Sequence, residues 1–151
     1  PYALFDRSLT NATEVEQYNG NVVFKGIIEC SKAAIENNIP VVLGNDVGCP
    51  WITQYAFYRE LYYFTKYVGV SNKFALYTAT LNSARMAGID NVTGSIEKGK
   101  SADMIVTEKN PLDDIRALRN IDTVIFCGNI INNPKVKVKK KVSKELDKFL
   151  Y

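Results

Sequence analysis

At 151 residues, 46% hydrophobic and 23% charged, the chain has the material for one ordinary globular domain, and no apolar run approaches the ~20 residues of a membrane span. It contains no histidine, which excludes Ser/His and Cys/His nucleophile pairs, HExxH and Cys/His zinc clusters within these residues; a GxxxxGK[ST] phosphate loop is absent too. The net charge of +3 is uneven: residues 133–151 hold seven lysines against Glu145 and Asp147, so the body is slightly acidic and gives no electrostatic reason to expect nucleic acid.

In chain order, residues 1–19 are rich in Thr, Asn and Glu without a sustained period and read as a loop, with the end of a strand at 2–5. Their start, PYALFDRSLT, lacks the basic, apolar and small-residue succession of a secretory signal. From Asn21 the apolar positions Val23, Ile27, Cys30 and Ala34 recur at three and four residues, predicting a helix that ends near Asn37 and Asn38. Ile39, Val41, Val42 and Leu43 then form an apolar run without alternation, as in a buried parallel strand over 39–44. A helix feeding such a strand is half of a βαβ unit, so the expected fold class is α/β with a parallel sheet.

Gly44 and Gly48 let the chain turn around Asp46 at the end of that strand. In α/β folds the C-terminal ends of strands hold the site, so Asp46 is a candidate ligand or base. The competing reading makes it a cap for the following turn. The aromatic-rich stretch over 52–67 predicts a helix whose rings serve packing. Ser71 predicts a helix N-cap, Thr80 the start of a second helix, and Gly88 the stop. Beyond Asn91 the period shortens, and strands are expected at 92–96, 104–108 and 123–126, separated by GKSAD, NPLDDI and GN turns. The tail over 133–151 reads as a solvated basic strand or helix, a polyanion-binding role being the weaker alternative. Cys30, Cys49 and Cys127 are odd in number and widely spaced, so no disulfide framework or thiolate zinc site is expected, and a reducing cytoplasm is the expected compartment.

The ordered pieces ATLNSARMAG, GSIEKGKSADMIV, NPLDDI and VIFCGNII, preceded by GND at Gly44 to Asp46, resemble the C-terminal signature of the amidohydrolase superfamily, nearest its imidazolonepropionase-like and Xaa-Pro-dipeptidase-like branches. Fold analogy alone does not fix function. The resemblance implies the last βα units of a metal-dependent TIM barrel plus a small β-sandwich segment. Residues 1–90 would be the C-terminal portion of the barrel, with Pro1 near its seventh strand and 39–43 as its eighth. Residues 91–132 would be sandwich strands and 133–151 a basic tail. The histidines and the bridging lysine or glutamate of such a site would lie upstream.

By the same resemblance Asp46 would be both a metal ligand and the proton acceptor for a metal-activated water, in an enzyme cleaving amide or cyclic amide C–N bonds. One or two divalent ions, zinc first, would serve the full-length enzyme, and none is expected in this stretch alone. Cys49 would lie at the barrel mouth as a substrate contact. Small-molecule or dipeptide-like substrates and a homo-oligomer are implied, without nucleic acid or membrane. Two departures stand out: Asn45 replaces the usual threonine, and VGCPWITQYAF lacks the histidine many relatives carry there. Lys98, Lys100 and Asp103 would belong to a sandwich turn. A non-catalytic scaffold that keeps this tail is the alternative from another class.

Overall fold

The computed structural model describes residues 12–49 and 51–150. Helix α1, Glu14–Glu36, opens with a capping box. The Glu16 N–H donates to Thr13 Oγ1 at 3.3 Å, and the Thr13 N–H donates to Glu16 Oε2 at 2.7 Å, satisfying donors that a helix start leaves orphaned. The helix therefore covers 14–19, where a loop was expected; the strand end at 2–5 lies outside the described residues. Its C-terminus closes with Asn38 at φ +57°, Asn38 N–H on Ile35 O and Ile39 N–H on Ala34 O, a Schellman motif with asparagine in the glycine position.

The apolar run that follows forms no ladder, which corrects the strand expected at 39–44. A strand exists only through hydrogen bonds to a neighbour, and no strand lies beside this segment among the described residues. It is held by side chains instead. Val41 and Leu43 pack on the core of Leu61, Phe64, Ala75 and Ile115, Asn82 Nδ2 donates to Val41 O at 2.7 Å, and Ile39 is left 57% exposed.

The aromatic stretch is helical but broken into three forms. A 3-10 turn, Gln54–Ala56, leads into α2, Tyr58–Tyr63, and then into a π turn, Phe64–Val68, that stops at Gly69 with φ +86°. Its rings do serve packing: Leu61 and Phe64 are core, Phe74 lies 6.2 Å from Phe64, and Tyr67 meets Phe24 of α1 edge-on at 5.0 Å. Helix α3, Asn72–Ala79, starts as expected with the Phe74 N–H on Ser71 Oγ at 3.1 Å. Helix α4, Leu81–Met86, follows from Thr80, whose hydroxyl donates back to Leu76 O and caps nothing. The turn through Ala87 and Gly88 ends it.

Residues 92–96 are turns, where a strand was expected. The Val92 and Thr93 N–H groups both donate to Ile89 O, and Ser101 N–H closes on Val92 O at 2.8 Å. Gly94 explains the departure. It lies so close to α4 that a Cβ there would sit 2.6 Å from Ala84 Cβ, an approach that a regular strand with a side chain at this position could not make.

The sheet is antiparallel in order β1-β2-β3, with β1 at Met104–Thr107, β2 at Ile121–Phe126 and β3 at Asn129–Asn132. Ile105 opposes Val124, which opposes Ile131; one register step away Met104, Ile125 and Ile130 line up on the other face. Cys127 and Gly128, both at positive φ, make the two-residue hairpin between β2 and β3. Asp103 accepts the Cys127 N–H at 2.8 Å and Lys100 Nζ reaches Ser95 Oγ at 2.6 Å, so these two residues build the turn region as expected.

Helix α5, Lys140–Asp147, corrects the expectation of a wholly solvated tail. Its lysines face solvent, but Leu146 and Leu150, four apart, are buried. Much apolar surface remains open, including Val15, Val22, Val23 and Ile27 on α1 and Ile105, Ile130 and Ile131 on the sheet. Among the described residues no helix is long and apolar enough to cross a membrane.

Candidate active site

Asp46 follows directly on the segment that Val41 and Leu43 anchor to the core, so its backbone is positioned by packing even though no ladder holds it. It adopts φ +49° and is exposed. Aspartate tolerates the left-handed region better than most residues, but Trp51, at φ +68° in the same loop, does not, and such local strain persists only where the surroundings fix it. The loop is tied internally by the Ile52 N–H on Cys49 O at 3.1 Å.

The Asp46 carboxylate accepts from the Cys49 thiol, Sγ to Oδ2 3.6 Å, and takes no backbone N–H among the described residues. A capped turn would place such a donor on the carboxylate. The carboxylate charge, followed by this hydrogen bond and a small desolvation, holds the Cys49 thiol above its ordinary pKa, which keeps it protonated and a weak nucleophile at neutral pH. The two expected site residues are thus brought together.

Among the described residues no three His, Cys, Asp or Glu side chains converge as a metal centre. Asp46 presents ionisable oxygens to open space and suits one position in a divalent cation's ligand set; a full set of three or four protein ligands would need others. A cleft of about 280 Å³ lies elsewhere, lined by Tyr58, Asp114, Arg116, Arg119 and Leu150 among others, and includes neither Asp46 nor Cys49.

The pairing in a charge cluster beyond the loop left no local mark in the sequence. Arg59, 4% exposed, donates from Nη2 to Asp147 Oδ1 at 2.7 Å, while Asp147 Oδ2 accepts from Arg119 at 2.8 Å. These partners lie 88 and 28 residues apart, beyond any local pattern. The signal that existed was the four-residue spacing of Ser143 with Asp147 and of Leu146 with Leu150, which marks one helix with a polar and an apolar line of contact.

The profile of the amidohydrolase family matches residues 19–131. An imidazolonepropionase of Picrophilus torridus is 41% identical over 58 residues, 38% of this chain and 14% of that protein. A crystal structure assigned as a prolidase from Bifidobacterium longum superposes with a TM-score of 0.90 at 36% identity, covering 97% of this chain and 36% of that one. A Xaa-Pro dipeptidase with bound methionine in the active site gives 0.71 at 29%, covering 81% of this chain and 29% of that one. The chain thus spans about a third of the length of these structural relatives. Since the profile covers well over half of its residues, from the second turn of α1 into β3, the chain belongs to the amidohydrolase family.

Proposed function

We propose that this chain is the C-terminal part of a metal-dependent hydrolase that cleaves amide or cyclic amide C–N bonds, and that Asp46 is its share of the active centre. The observation that carries the reading is the Asp46 carboxylate itself: it stands at the end of a core-anchored segment and, among the described residues, accepts no backbone N–H. The relatives are named as a prolidase, a Xaa-Pro dipeptidase and an imidazolonepropionase, which supports a dipeptide-like or cyclic amide substrate.

In this reading residues 1–90 finish a TIM barrel, 91–132 contribute strands to a β-sandwich and 133–151 form the tail. The open faces of α1 and of the sheet support it, because both carry apolar side chains that a larger structure would cover. Asp46 would hold, together with residues outside this chain, a divalent cation, zinc in one or two copies, which when bound would supply an activated water near neutral pH. Asp46 would offer one oxygen as ligand and would take the proton of the attacking water, a role that its open position allows. Cys49, kept protonated beside it, borders the substrate without acting as nucleophile.

The test is hydrolysis by the full polypeptide of Xaa-Pro dipeptides and of imidazolone-type cyclic amides, before and after chelation. Activity that chelation removes and zinc restores is expected; a metal-loaded protein inert on the whole panel would overturn the proposal. Elemental analysis of the dialysed 151-residue chain should find no stoichiometric metal, and zinc held tightly by this chain alone would contradict the shared-site reading.

A further inference from the structure

The contacts of α5 converge on the helical segment that leaves the Asp46 loop. Lys139 N–H donates to the Tyr55 hydroxyl at 2.9 Å, one turn after the loop. Arg59, on the next turn, donates to Asp147 Oδ1 at 2.7 Å and to Ser143 O at 3.4 Å. Further along, Lys66 Nζ donates to Phe149 O at 3.2 Å. Leu146 and Leu150 bury the apolar side of the same tail. The tail is thus bonded along three successive parts of one segment, 55–66, and the loop carrying Asp46 and Cys49 enters that segment directly.

Two features make this docking more than incidental packing. Arg59 is buried, its Nε and Nη1 find no hydrogen-bond partner among the described residues, and Asp147 is the described carboxylate that compensates its charge. A buried guanidinium without a counter-charge is strongly unfavourable, and the segment bearing it would shift toward water. Helix α5 is eight residues long and too short to be stable by itself, so it is ordered by this docking. Both partners therefore order together.

We propose that Asp147, through Arg59, is a positioning residue for the Asp46 loop, with the C-terminal helix acting as a clamp on the first turns after it; its catalytic meaning rests on the role proposed for Asp46. Asp147 touches no reacting atom. It holds the start of the helical segment, and with it the exit of the loop, in one place.

Amide exchange in the full polypeptide tests this directly. Asp147→Asn should speed exchange of peptides covering residues 51–57 by roughly tenfold, as expected when local opening becomes easier, with α4 and the sheet keeping their protection. Glu145→Gln, which removes the Lys148 partner within α5, should leave 51–57 unchanged. Tyr55→Phe, which deletes the Lys139 contact without stranding a charge, should loosen the same peptides and serves if Asp147→Asn fails to fold. In kinetics, Asp147→Asn should lower kcat with KM little changed, and Asp147→Glu should restore part of the loss. Exchange at 51–57 indistinguishable from the wild type in both Asp147→Asn and Tyr55→Phe, with α5 itself loosened, would overturn the clamp. Because exchange needs no metal or turnover, a clamp seen alongside an unimpaired Asp46→Asn enzyme would stand while the role of Asp46 fell.

Discussion

Replacing Gly94 with alanine probes the joint between the helical half and the sheet half. Gly94 has φ +92°, and an added Cβ would lie 2.6 Å from Ala84 Cβ, 3.1 Å from Leu81 Cα and 3.3 Å from Thr80 O. Neither an alanine methyl nor a helix backbone can swing aside, so α4 or the 92–96 turn must move. The left-handed backbone costs an L-residue about 1–2 kcal/mol and overpacking adds about 1–3 kcal/mol, giving a loss of about 2–5 kcal/mol. That is a large part of an ordinary stability of about 5–15 kcal/mol. Gly99 provides the control, because its φ is +93° but no atom lies within 4 Å of its Cβ position. Gly99→Ala should cost only the backbone share, about 1–2 kcal/mol. Urea unfolding followed by far-UV circular dichroism, with equal m-values, should place Gly94→Ala clearly below Gly99→Ala. Equal midpoints would refute the close approach and the reason given for the missing strand at 92–96.

Further outcomes follow from surface and titration. Val15, Val22, Val23 and Ile27 on α1 and Ile105, Ile130 and Ile131 on the sheet stay open to water, so by itself the chain should self-associate. Light scattering coupled to size exclusion would detect this, and a cooperatively folding monomer at micromolar concentration would contradict it. Burial, partly offset by the Arg59 charge, pushes Tyr63 up to about 12. Its folded pKa is raised, so the stability it contributes is complete below pH ~10 and is lost as pH climbs through the range up to about 12. Ultraviolet titration should show a late phenolate step that Tyr63→Phe removes; an unchanged titration would show that the ring is not shielded.

The sequence made some of this legible because the determinants were local. Ser71 caps α3 with its own hydroxyl, and the GN turn after Cys127 closes a hairpin through backbone conformation alone. The Thr13 and Glu16 capping box was equally local, but the polar run around it concealed the helix start. Other features depended on distant partners. The run at 39–44 has the composition of a buried strand, but a ladder needs neighbours that the described residues do not supply. Gly94 looked like part of a strand because the helix it presses on could not be seen from its own neighbourhood. Arg59 found its counter-charge 88 residues away. At the site, the carboxylate between Gly44 and Gly48 was readable as a candidate, while its pairing with Cys49 required the loop's actual path.

The central claim is that Asp46 does chemistry in a larger metal-dependent enzyme, and the most direct measurement is the turnover of Asp46→Asn in the full, metal-loaded polypeptide. The substitution keeps the side chain's shape and leaves the Val41 and Leu43 anchors untouched, but it removes the proton acceptor. The account predicts an unchanged unfolding midpoint with turnover lower by roughly 10²-fold or more, as for a lost acid–base group. Turnover close to that of the wild type would contradict it.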